Sequence, residues 1–217
     1  MGCKANTYDS QLVEQALREQ GLERATEDTQ ADVIIVNSCT VTEEADRQSR
    51  KMASRLARRH PNATVVMTGC GAEVEPERHA ATTGVDLVIG NQDKPALANL
   101  IVAKLADDAS TTAATIGGNV SRYDKKRARH PTDRAWPSPE QAFFTPPVQQ
   151  GKTRVFLKIQ EGCDAFCTYC IIPYARGPAR NLRPIDLVRQ VREVCTQGAT
   201  EVVLTGTALG DLSLIHI

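Results

Sequence analysis

Between Tyr8 and Ala106 the chain alternates short apolar runs with helix-length amphipathic ones, and this alternation limits the fold more than any other feature. The runs Asp32-Val33-Ile34-Ile35-Val36-Asn37, Ala63 to Thr68 and Asp86 to Ile89 have strand length. Nearly unbroken apolar runs of this kind belong to strands covered on both faces. Helical patterns lie between them. Asp9 or Ser10 is placed to cap a helix carrying Leu12, Val13, Ala16 and Leu17, with Gly21 as its stop. Thr42 precedes a charged, surface-facing helix over Glu43 to Arg59, a short helix is expected near Glu75 to Ala81, and Pro95 opens a last one through Leu105. Repeated strand and helix blocks predict an open parallel α/β sheet.

Two cysteines fall at chemically useful places on that map. Cys39 comes just after the first strand and Cys70 just after the second, and ligand sites in open α/β sheets lie at the carboxyl ends of the strands. Cys3 would share that edge if a strand preceded it. Taken singly, each also reads as a small buried hydrophobe. Cys195 differs, because it lies in the helical pattern of Leu187, Val191 and Val194, where packing is its expected role.

The second half starts a new βαβ order. Thr153 to Gln160 reads as a strand, Pro184 to Gly198 as a helix with its stop, and Glu201 to Thr205 as another strand. Directly after the first of these strands comes Gly162-Cys163-Asp164-Ala165-Phe166-Cys167-Thr168-Tyr169-Cys170, a Cys-x3-Cys-x2-Cys loop. Three thiolates at this spacing can hold three corners of a [4Fe-4S] cluster and leave the fourth iron open. A zinc knuckle is the alternative, but zinc takes four ligands and none of the 4 His lies nearby.

Composition bounds the rest. The 217 residues are 41% hydrophobic, enough for one or two domains, and the 26 basic and 26 acidic residues cancel, so no global field draws in nucleic acid. No apolar run approaches bilayer length and no signal-peptide pattern opens the chain, which reads as cytoplasmic. In such a chain 7 Cys point to metal or catalytic ligands more than to disulfides.

The cysteine loop, with Tyr169 as its aromatic, resembles the signature of the radical S-adenosylmethionine (SAM) enzymes. Gly2-Cys3-Lys4-Ala5-Asn6-Thr7-Tyr8-Asp9-Ser10, Asn37-Ser38-Cys39-Thr40-Val41-Thr42 and Thr68-Gly69-Cys70 resemble the N-terminal domain of one branch, the methylthiotransferases. The resemblance implies that Cys163, Cys167 and Cys170 hold the SAM-binding [4Fe-4S] cluster, with Tyr169, Thr205 and Gly206 beside the cofactor. It implies that Cys3, Cys39 and Cys70 hold a second, auxiliary [4Fe-4S] cluster. Arg176 and Arg180 follow the loop and could contact substrate or SAM, although they read equally well as solvated charges. No catalytic residue is assigned.

Within the branch, Asn37 to Asp46 and Gly2-Cys3-Lys4 look most like the enzymes that methylthiolate N6-threonylcarbamoyladenosine at position 37 of tRNA. The implied partners are tRNA, an electron donor such as flavodoxin or ferredoxin, and a sulfur source. Methylthiolation of isopentenyladenosine in tRNA or of a ribosomal-protein aspartate, an iron-sulfur electron carrier and a zinc-stabilised module are the alternatives. Gly71-Ala72-Glu73 departs from the branch's usual Tyr-Ala-Gln.

The expected organisation is an N-terminal domain over 1–106 lacking its first strand, a linker over 107–151, the start of a radical SAM (β/α) partial barrel over 152–211, and a non-native tail over 212–217. The run Lys125-Lys126-Arg127-Ala128-Arg129-His130 reads as part of a solvated linker, with contact to RNA phosphates as the alternative.

Overall fold

A computed structural model of the protein describes residues 2–26, 29–110, 135–148 and 154–212. The basic run of the linker and residues 213–217 lie outside them. The first unit contains α1 (Lys4–Glu19), β1 (Val33–Ser38), α2 (Glu43–Arg59), β2 (Thr64–Gly69), α3 (Cys70–Val74), α4 (Pro76–Ala80), β3 (Leu87–Ile89) and α5 (Leu97–Ser110). Its sheet is parallel in the order β1-β2-β3, with Val33 opposite Thr64 and Val66 opposite Leu87.

The central strand decides how the layers form. All of β2 is buried, and its residues alternate between two cores. Val65 and Met67 face Ile34, Val36 and Val88 under Ala53 of α2. Val66 faces Leu87 and Ile89 under Val13 of α1 and Leu97 and Ile101 of α5. Helices therefore cover both faces, as the unbroken apolar runs predict.

Helix α1 starts earlier than its sequence suggests. Cys3 stands at its N-cap position without a side-chain hydrogen bond, and Asp9, expected as a cap, lies buried inside the helix. Tertiary ion pairs take up its carboxylate. Thr42 does cap α2, accepting from Ala45 N at 3.1 Å. That helix is less exposed than its charges suggest, since Asp46, Ser49 and Ala53 are buried. The expected helix near Glu75 is two short ones, the first opened by Cys70.

The second unit contains β4 (Arg154–Lys158), β5 (Gln160–Glu161), α7 (Ile172–Arg176), β6 (Arg180–Asn181), α8 (Pro184–Thr196) and β7 (Glu201–Thr205). Strands β4 and β7 pair in parallel, with Leu157 opposite Leu204, and α8 is the crossover between them. Its core joins Val155, Leu157 and Ile159 to Val194 of α8. Cys195 is exposed and contributes nothing to that core, which corrects the packing role expected for it. Its neighbour Val194 fills the inward position of the helix.

Residues 135–148, including α6 (Pro139–Ala142), lie across both units. Tyr8 Oη donates to Phe144 O at 2.6 Å and accepts from Phe144 N at 2.6 Å, with the two rings 4.6 Å apart. On the other side Thr145 Oγ1 donates to Glu193, and Arg180 Nη1 donates to Pro137 O at 2.7 Å.

Candidate functional site

The sheet's carboxyl edge gathers Cys3, Cys39 and Cys70 through polar residues around them. Asn6 Nδ2 donates to Ser38 O at 3.0 Å, and Asn37 Nδ2 donates to Asn6 O at 3.0 Å and to Ser10 Oγ at 2.9 Å. These bonds tie the start of α1 to the end of β1. Ser38 Oγ donates to Thr68 O at 2.6 Å and accepts from Ala72 N at 3.1 Å, which ties β1 to β2 and to the turn after Cys70. Gly69 has φ +96°, and a Cβ there would lie 2.4 Å from Asn37 Oδ1 and from Ser38 O. Only glycine permits that approach.

Cys39 and Cys70 are buried, whereas Cys3 is exposed. Burial pushes the Cys39 thiol up, and the neighbouring Cys70 and Cys3 add to the shift while Arg176 opposes it. Among the described residues no three His, Cys, Asp or Glu side chains already form a metal-holding group. The donor set nonetheless suits an iron-sulfur cluster, being three soft thiols at one sheet edge with no disulfide partner.

The second cysteine set is built by β5 and the turn after α7. Gly162 has φ +76°, and a Cβ there would lie 2.0 Å from Pro178 O, so the loop enters against backbone. Cys163 N donates to Gly177 O at 3.1 Å, and Ala179 N donates to Asp164 Oδ1 at 3.1 Å. Phe166 holds φ at 47°, a strained conformation for a bulky side chain. Cys167 is exposed, and Cys163 and Cys170 are half-buried. Tyr169 is 90% exposed beside them.

Gln160 joins this loop to the end of β7. Its Nε2 donates to Gly162 O at 2.7 Å, and its Oε1 accepts from Thr207 N at 2.9 Å and Ala208 N at 2.7 Å. Gly206 lies against it, for a Cβ there would be 2.8 Å from Gln160 Cβ. Thr205 is buried at the strand end. The structure thus brings Thr205 and Gly206 beside the cysteine loop through a glutamine that sequence reading passed over.

A buried ion network joins the two sets. Asp9 lies 2.7 Å from Lys158, 3.0 Å from Arg176 and 3.4 Å from Lys94, and Glu161 lies 2.7 Å from Lys158 and 2.6 Å from Arg176. Burial opposes ionisation of Asp9, but Lys158, Lys94 and Arg176 outweigh it and hold its carboxyl far below the usual range. Arg176 and Arg180 are therefore not solvated charges, although Arg180 Nε is buried without a hydrogen-bond partner among the described residues. Arg180 Nη2 donates to Arg176 O at 2.8 Å, and its guanidinium lies 5.7 Å from the Trp136 ring centroid. Asn91 Nδ2 completes the contact, donating to Ala175 O at 2.7 Å and reaching Cys70 Sγ at 3.6 Å. Lys158, an inward lysine in an apolar strand, was the one sequence signal of this network.

Residues 1–90 match the family described as uncharacterized protein family UPF0004. The threonylcarbamoyladenosine tRNA methylthiotransferase MtaB of Bacillus subtilis (strain 168) is 36% identical over 210 residues, covering 97% of this chain and 43% of that protein. Its namesake in Aquifex aeolicus (strain VF5) is 38% identical, covering 97% and 47%. Over almost its whole length the chain is similar to these methylthiotransferases. A tRNA-2-methylthio-N(6)-dimethylallyladenosine synthase from Wolbachia pipientis subsp. Culex pipiens (strain wPip) is 34% identical over 94% of the chain. The chain thus spans less than half the length of these curated relatives. A solved radical S-adenosylmethionine methyltransferase, TsrM from Kitasatospora setae with tryptophan and a SAM analog bound, superposes with a TM-score of 0.52 at 18% identity. It covers 94% of this chain and 41% of that one, and at this identity the likeness concerns the fold. No helix among the described residues is long and apolar enough to cross a membrane.

Proposed function

We propose that the protein is a cytoplasmic tRNA methylthiotransferase that uses radical SAM chemistry to place a 2-methylthio group on N6-threonylcarbamoyladenosine at position 37. The observation that carries this reading is the joining of two three-cysteine sets through one buried interface, in a chain whose relatives at 36% and 38% identity bear that enzyme's name. Cys163, Cys167 and Cys170 would hold the cluster that binds SAM, and Cys3, Cys39 and Cys70 the auxiliary one. Three ligands per set leave an open iron in each, unlike an electron carrier that closes its cluster with four Cys. When bound, these groups supply one-electron chemistry and a site for sulfur.

The chain's own residues position and enclose. Gln160 and Thr207 hold Gly162 O and so fix the entry of the cysteine loop, with Thr207 Oγ1 donating at 2.7 Å. Exposed Tyr169 and the backbone at Thr205 and Gly206 would contact SAM. Ser38 and Asn6 set the turns that carry Cys39 and Cys70. The partners would be tRNA, a reductant such as flavodoxin or ferredoxin, and a sulfur source.

Relatives named for dimethylallyladenosine keep that nucleoside as a second substrate reading. Anaerobic reconstitution with iron and sulfide tests the cofactors, with about eight irons per chain and reductant-dependent SAM cleavage expected. Nucleoside mass spectrometry of tRNA treated with the reconstituted protein tests the substrate. Appearance of the methylthio mass on threonylcarbamoyladenosine supports the proposal, and its appearance only on dimethylallyladenosine overturns the substrate. Tightly bound zinc in place of iron would overturn the radical SAM reading.

A further inference from the structure

Arg176 is among the largest fully buried side chains, and its charge has few reasons to be there. Its two carboxylate partners, Asp9 and Glu161, are shared with Lys158, Lys94 and Arg180, so four cations meet two anions. Counted over these six described side chains, the network carries a surplus of two positive charges. An uncompensated buried charge is strongly unfavourable, so nearby anions must balance it. The thiolates of a cluster held by Cys3, Cys39 and Cys70 would supply such charge, since Asn91 joins Cys70 Sγ to Ala175 O beside Arg176.

The packing supports this. Helix α7, which ends in Arg176, packs on α3, which Cys70 opens. Asn91 ties the two together by bonding Ala175 O and reaching Cys70 Sγ. Burial acts against the Arg176 charge, yet Cys70, Asp9, Glu161 and Cys3 together hold its pKa well above the ordinary arginine value. A cation from the second unit thus stands beside the helix that Cys70 opens.

We infer that Arg176 is a positioning residue for the Cys3, Cys39 and Cys70 site, supplying from the second unit the buried positive charge that sets the reduction potential of a cluster held there. This rests on the proposed reading that these cysteines hold a cluster. Adding an electron beside a buried cation is favoured, and removing the cation disfavours it. The carboxylates oppose Arg176, so neutralising one acts in the reverse direction. A merely structural role for Arg176 would not produce two opposite shifts.

The test is an EPR-monitored redox titration of the reconstituted chain with Cys163, Cys167 and Cys170 changed to Ala, leaving only the first set. Arg176→Met is expected to lower the reduced-to-oxidised ratio at a fixed potential about tenfold, roughly 59 mV for one electron. Glu161→Gln is expected to raise it, and Arg176→Lys to stay near the parent. Shifts of the same sign for Arg176→Met and Glu161→Gln, or none in either, overturn the inference. If Arg176→Met does not fold, the absence of an upward shift in Glu161→Gln overturns it alone. An unsubstituted chain that takes up iron while the triple-Ala parent takes up none overturns the reading beneath it.

Discussion

Asp9 and Lys158 stand 149 residues apart in the chain and 2.7 Å apart in space. The pair belongs to a network of carboxylates and cations buried where the two units meet. Removing one member leaves charges that neither water nor protein compensates. Asp9→Ala is expected to destabilise the protein by about 3–5 kcal/mol, read as a lower urea midpoint. Glu44→Ala breaks an equally short contact to Arg47, at 2.6 Å on the solvated face of α2, and should leave the midpoint almost unmoved.

The same network sets a response to acid. The folded-state pKa of Asp9 is depressed from 3.8, so its contribution is fully present above about pH 4 and is lost as the pH falls further. His79 acts earlier. Burial lowers its pKa from 6.5 against the pull of Asp46, so the unfolded chain binds that proton more readily. Stability should decline first as the pH drops below about 6.5 and again below about 4. In His79→Gln the first decline should shrink and the second remain, which pH-dependent unfolding would show.

Gly71 stands where the branch commonly has tyrosine, and the structure explains the glycine locally. A Cβ at Gly71 would lie 2.6 Å from His79 Nε2, which itself stands 2.8 Å from Asp46 Oδ1. Gly71→Ala should cost about 1–3 kcal/mol by overpacking. Paired with His79→Ala, the penalty should fall by a measurable coupling energy, about 0.5 kcal/mol or more. Additive effects in that double-mutant cycle would count against the contact.

Tyr8 holds residues 135–148 to the first unit. Burial pushes its hydroxyl pKa well above the usual range, so it remains a neutral donor and acceptor for Phe144. Tyr8→Phe deletes both bonds while keeping the ring stack, at an expected cost of about 1–2 kcal/mol. Limited proteolysis within residues 135–148 should accelerate in that variant.

Cys195 gives a control for the cysteine sets. It is exposed and outside both, so Cys195→Ser should keep the iron content and the urea midpoint of the parent. Cys70→Ala or Cys167→Ala should each remove about four irons.

The parallel sheet and the placement of Cys39 and Cys70 at strand ends followed from local pattern. An unbroken apolar run such as Val33 to Val36 can only be a covered strand, and a residue that ends such a run must stand at the sheet's edge. Cys39, Cys70 and the 163–170 loop were legible for that reason. The start of α1 was misread because Asp9 is a good cap in isolation, and local preference yields to buried cations contributed by distant segments.

By itself, the sequence determined the parallel α/β class, the βαβ order of the second unit and the Cys-x3-Cys-x2-Cys loop that follows its first strand, since each depends on spacing along a few residues. Tertiary structure alone decided that Asp9, Lys94, Lys158, Glu161 and Arg176 would meet, and that Gln160 would link the cysteine loop to β7. Charged and amide side chains leave no periodic trace in sequence. Their partners are chosen by the burial that folding imposes, because a charge removed from water must find its opposite in whatever element packs against it.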